Sequence, residues 1–93
     1  MNYFDRNGKL ITLEEWAELS ANEEYKRLRK TEIDDIVIST VWLGINHQFG
    51  SGPPLIFETM IFDGESEKQW RYTDEKEALF GHENAVKSVE RNT

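Results

Sequence analysis

Three side chains carry groups suited to proton or metal chemistry in settings that folding alone does not explain: His47, Glu58 and His82. Glu58 is the only acid between Ile36 and Phe62, a stretch that also lacks Lys and Arg. Strand alternation in "LIFETMIF" sets it beside Ile56, Met60 and Phe62, and a carboxylate among such neighbours must find a partner or shift its pKa. If that face meets the last helix, Arg71 and His82 become its partners. Such a pair is either structural glue or a site, and structural pairs are the commoner. His82 itself falls in the apolar stripe of a helix, where a hydrogen-bonded core histidine is the plain expectation. Together with His47 these residues make a two-histidine, one-carboxylate set in principle. Their spacing matches no local metal motif such as H-E-x-x-H, so no metal or other cofactor is expected.

Nucleophilic chemistry finds less support. Ser39, Ser51 and Ser66 lie in no G-x-S-x-G elbow, and no glycine-rich loop runs into a helix to cradle phosphate. The chain has no cysteine, which removes thiolate nucleophiles, thiolate metal sites and disulfides together.

The segment that frames His47, "NHQFGSGPP", offers recognition rather than catalysis. Gly44, Gly50 and Gly52 permit unusual backbone angles or close approach, and Pro53 and Pro54 stiffen the exit. His47 and Phe49 would then be presented at a strand end. An ordinary hairpin connection uses the same residue types to manage backbone geometry. Of the three tryptophans, Trp16 and Trp42 read as core, while Trp70, on a more polar strand, is suited to a surface or groove.

The elements that must position these groups follow from pattern. "YFDRNGKLI" sets Asn-Gly between two apolar pairs, a hairpin signal. Thr12 and Glu15 have capping-box spacing and open a short helix whose Leu13, Trp16, Ala17 and Leu19 turn inward. Asn22 caps a second helical stretch, "EEYKRLRK", with Tyr25 and Leu28 inward. "IVISTVWLGI" is apolar on both alternating faces, as in a central strand covered on both sides or paired mid-sheet. "LIFETMIF" and "EKQWRY" complete an antiparallel meander. Thr73 or Asp74 caps the last helix, which places Ala78, Leu79, His82, Ala85, Val86 and Val89 on one side. The expected class is α+β: a small meander of three strands, plus an N-terminal hairpin or strand, packed against two short N-terminal helices and a C-terminal helix.

Ninety-three residues accommodate one hydrophobic core, hence one domain over 1–93. A net charge of −7 repels nucleic acid and anionic lipid, so direct binding to either is not expected. Acidic mimicry of nucleic acid is the alternative use of that charge, but eleven Lys and Arg interspersed with the acids read as an ordinary solvated surface. No apolar run reaches membrane-spanning length, and "MNYFDRNGKLI" has no signal-peptide pattern, so a cytoplasmic location is expected.

The motifs "YFDRNGKLITLEEWA", "TVWLGINHQFGSGPPLIFETMIF" and "RYTDEKEALFGHE" resemble those of a group of small, uncharacterised proteins from bacteriophages, prophages and Gram-positive bacteria. The likeness runs from Tyr3 to about Val89 and is most specific in the middle motif. It implies an accessory protein in a bacterial cytosol, and it points to Trp42, His47, Phe49, Pro54, Phe57, Glu58, Thr59, Arg71 and His82 without assigning a catalytic role to any.

Residues and resemblance together favour a non-enzymatic binding protein with its site among Trp42, His47, Phe49, Pro54, Glu58, Arg71 and His82. Its expected partner is a host or defence protein, or a small polar ligand, and the protein itself is a candidate homodimer. Two alternatives stand beside it. A metal-dependent or acid-base hydrolase would require Glu58, His47 and His82 to converge in one cleft. A structural or assembly protein would use the acidic helices as an interface.

Overall fold

A computed structural model describes residues 2–46, 52–64 and 67–91. The expected α+β class holds. Among the described residues, two antiparallel sheets, one of two strands and one of four in the order β3-β4-β5-β6, combine with three helices.

The chain opens with β1 (Tyr3–Phe4) and β2 (Leu10–Ile11), paired Tyr3 to Ile11 and Phe4 to Leu10. The Asp5 carboxylate accepts from the amides of Asn7 and Lys9, both at 2.9 Å, and the Gly8 amide reaches the Asp5 carbonyl. The turn is therefore wider than a two-residue Asn-Gly loop, and only Gly8 of that pair takes positive φ.

Helix α1 (Leu13–Ser20) starts at the expected capping box, with Thr12 and Glu15 satisfying each other's backbone amides. Its inward stripe is narrower than expected. Trp16 and Leu19 pack on the core, whereas Ala17 is exposed and Leu13 is 53% exposed. The second helix is corrected more substantially. Asn22 caps it as expected, but α2 covers only Glu23–Lys26, and Arg27–Ile33 is strand β3. The meander accordingly has four strands rather than three.

Strands β4 (Ile36–Trp42), β5 (Phe57–Phe62) and β6 (Glu67–Tyr72) follow in antiparallel register. Their alternation sorts side chains onto two faces. Ile38, Thr40 and Trp42 of β4, with Phe57, Thr59 and Ile61 of β5, are all buried on one face. Helix α3 (Glu75–Arg91), which has the Asp74 carboxylate on the Glu77 amide as its N-terminal cap, crosses that face and touches all four strands. It buries Ala78, His82, Ala85 and Val89, four of the six positions expected there. Helix α2 joins the same side, where the Tyr25 ring meets Trp42 edge to face at 5.0 Å.

The N-terminal hairpin is tied to the end of β4. Trp42 donates from Nε1 to the Phe4 carbonyl and Trp16 from Nε1 to the Leu43 carbonyl, each at 3.0 Å. Gly44 sits between the two indoles with φ +75°, and a Cβ there would collide with both rings. Its glycine is thus explained by packing at this junction. Among the described residues no helix is long and apolar enough to cross a membrane.

Candidate functional site

His82 is completely buried beneath α3. Its Nε2 lies 2.8 Å from the Thr31 hydroxyl and its Nδ1 2.7 Å from the Thr40 hydroxyl, which in turn meets the Thr59 hydroxyl at 2.5 Å. Burial lowers the imidazole pKa, the Arg29 guanidinium lowers it further, and Glu83 opposes them in part. A neutral ring, donating from one nitrogen and accepting at the other, satisfies the whole chain of hydroxyls. This is a hydrogen-bonded core histidine of β3, β4, β5 and α3.

Glu58 has the partner foreseen in Arg71. The two are register neighbours on β5 and β6, and Arg71 donates from Nε to the carboxylate at 3.0 Å. They occupy the sheet face opposite His82, because Glu58 alternates with Thr59. The cleft required for a Glu58–His82 catalytic set therefore does not form. Among the described residues no three His, Asp or Glu side chains cluster as a metal site would need.

The other sequence-selected positions scatter as well. Trp42 is core, 1% exposed, with its indole nitrogen committed to Phe4. Pro54 is half-buried in the loop before β5. His47 and Phe49 lie outside the described residues. Ile56, expected beside Glu58, precedes the strand and packs with Trp42, Phe57 and Ala78 in the core.

A different constellation does form a concavity. Among the described strands β6 is an edge of the sheet, and α3 runs beside it on the packed face. Between them lies a groove of about 260 Å³ lined by Trp70, Tyr72, Gly81, Asn84, Ala85 and Ser88. Gly81 and Ala85, one helical turn apart, give it a low floor. The indole of Trp70, whose residue is 43% exposed, forms an apolar wall, and Asn84 and Ser88 supply polar groups.

The two sheet edges differ in kind. Strand β3, the other edge, carries a register irregularity between Arg27 and Arg29 and the charges Arg27, Arg29, Lys30 and Glu32. Bulges and charges are how natural sheets blunt an edge. Strand β6 keeps an unbroken register from Glu67 to Tyr72. Among the described residues no strand pairs with its outer side.

One signal for this groove was legible: Trp70 reads from sequence as a surface or groove tryptophan. Gly81 and Ala85 gave none, since small residues in a helix stripe mark close packing of any kind. Compared with family models, curated proteins and solved structures, the chain matches none.

Proposed function

We propose that this protein is a non-enzymatic binding module that accepts an extended polypeptide segment along the free edge of β6, with one apolar side chain of the partner seated in the groove between β6 and α3. The observation that carries the reading is the groove's place: it opens beside a regular strand that, among the described residues, has no partner on its outer side. Adding a strand to such an edge satisfies main-chain hydrogen bonds, while a neighbouring pocket selects alternate side chains.

Volume favours a polypeptide over a small ligand. Small-molecule pockets span roughly 300–1,000 Å³ and enclose most of their ligand. The groove, at about 260 Å³, is below that range and fits one or two side chains instead. Its Trp and Tyr walls suit an aliphatic or aromatic residue, and Asn84 offers an amide to the partner backbone. The likeness to phage-encoded accessory proteins supports a bacterial cytosol as the setting and a host or defence protein as the source of the segment.

A displayed library of random decapeptides, selected on the immobilised protein, tests this. Binders should carry apolar residues at alternate positions and lose at least tenfold in affinity to Trp70→Ala and to Asn84→Trp, which fills the groove. Failure to enrich any peptide, or enriched peptides indifferent to both variants, would contradict the reading.

A further inference from the structure

Among the described residues, no helix or strand packs on the face of the four-stranded sheet that carries Glu58, and the centre of that face is apolar. Among the described residues, α3 and α2 both pack on the other side. Antiparallel sheets open to water on one face normally alternate apolar-in with polar-out. Here the outward positions of the two central strands are Val37, Ser39 and Val41 on β4 and Glu58, Met60 and Phe62 on β5. Phe62 is 38% exposed, and Val37, Val41 and Met60 are half-buried. Among the described residues, the two-sided apolar pattern of β4 therefore meets a helix on one side only.

Charge on this face has a definite layout. Register sets three rows across the sheet: Arg27, Val41, Glu58 and Arg71; then Lys30, Ser39, Met60 and Gln69; then Glu32, Val37, Phe62 and Glu67. One end is therefore basic at both corners and the other acidic at both corners. Three bases balance three acids within the face, although the whole chain carries −7. This is a surface on which two copies of an acidic protein can meet without net repulsion.

We propose that the open face is a self-association surface, and that two copies pack face to face about a two-fold axis perpendicular to the strands. Only two in-plane axes leave aligned strands, and charge selects between them. An axis along the strands would stack β3 on the partner's β6, which sets Arg27 over the partner's Arg71 and Glu32 over the partner's Glu67. The perpendicular axis stacks each strand on its own copy with direction reversed. It sets Arg27 over the partner's Glu32 and Arg71 over the partner's Glu67, while Met60 meets its own symmetry mate at the apolar centre and Lys30, paired with Glu32 at 3.3 Å, meets its own mate at the rim. Aligned sheets pack about 30° apart in rotation and about 10 Å in separation, which keeps these corners facing.

Size fixes the strength expected. Four strands and six residues give a face of roughly 20 Å by 20 Å, about 400 Å² per copy, at the low end of protein interfaces. The dimer should therefore be reversible, with dissociation in the micromolar range. Both β6–α3 grooves lie on the outer sides of this pair and remain open, so the inference stands independently of the binding role proposed above.

Sedimentation velocity from 5 to 500 µM tests it, with three chains whose changes fall on exposed side chains. The natural protein should shift from monomer to dimer across this range. Arg27→Glu alone, and Glu32→Arg alone, should each weaken the dimer at least tenfold. An equimolar mixture of the two variants should restore it, because position 27 of each then faces the opposite charge at position 32 of the other, while the Arg71 and Glu67 corners are untouched. Circular dichroism of each variant reports the fold separately. A natural protein that stays monomeric at 500 µM, or a dimer unaffected by these charge changes, would overturn the proposal.

Discussion

The phenol ring of Tyr72 lies directly over Gly81 of α3, so close that a Cβ on Gly81 would overlap the ring and its hydroxyl. This contact seats the C-terminal helix on the β6 edge and shapes the floor of the groove.

Gly81→Ala is accordingly expected to destabilise the protein despite improving helix propensity. The alanine gains about 1 kcal/mol of propensity. Displacing Tyr72 from its packing against the core cluster of Trp42, Ile56, Phe57 and Ala78 forfeits about 2–3 kcal/mol of burial, which outweighs that gain. Urea unfolding should show a net loss of about 1–2 kcal/mol, and Trp70 fluorescence should report a rearranged groove.

The buried imidazole makes stability pH-dependent in a set direction. His82 titrates below its ordinary value of 6.5 in the folded protein, chiefly because it is desolvated. The unfolded chain therefore binds more protons just below pH 6.5, and stability falls as pH drops through that window. Above it the contribution is fully present. Urea midpoints should decline from pH 7 to pH 5, and His82→Gln should flatten that decline.

Thr40 bridges His82 to Thr59 inside the core. Thr40→Val keeps the shape and removes both hydrogen bonds, leaving an imidazole nitrogen and a hydroxyl without this partner. The expected cost is about 2 kcal/mol, read as a lowered unfolding midpoint. Thr59→Val should cost less, since it releases one hydrogen bond and spares the ring.

Glu58 is the most buried carboxylate of the described face, with a side chain 10% exposed, and Arg71 is its ion-pair partner. Arg71→Met should cost about 2 kcal/mol, reduced from the value for a fully enclosed pair because Arg71 is 35% exposed. The double variant Arg71→Met with Glu58→Gln should recover most of that loss. Equal losses in single and double variants would show that the pair has no such role.

The legible parts of this fold were those where local pattern and tertiary packing agree. The capping box at Thr12, the two-sided strand β4 and the α3 stripe each satisfy both. Strand β3 was hidden because Lys, Arg and Glu favour helix, and Tyr25 and Leu28 keep helical spacing. Its irregularity between Arg27 and Arg29 also breaks the period of two. The turn that would have revealed it is made by Asp34 and Asp35, with Asp34 in the left-handed region at φ 54° and no glycine to announce it.

The candidate site was harder to read for a different reason. Glu58, His82 and Trp42 drew notice as polar or bulky groups in apolar surroundings, and each is accounted for by a specific contact to Arg71, to Thr31 and Thr40, or to Phe4. The concavity is lined instead by Trp70, by Gly81, whose missing side chain admits the Tyr72 ring, and by the small Ala85. Missing volume leaves little trace in a sequence.

The most direct test of binding at the β6 edge is an amide chemical-shift titration of the labelled protein with a selected decapeptide. Perturbations should concentrate on residues 67–72 and 81–88, together with the Trp70 indole. Perturbations confined to residues 52–56 and Asn46, with β6 and α3 unmoved, would place recognition at the glycine-proline loop and contradict an edge-strand groove.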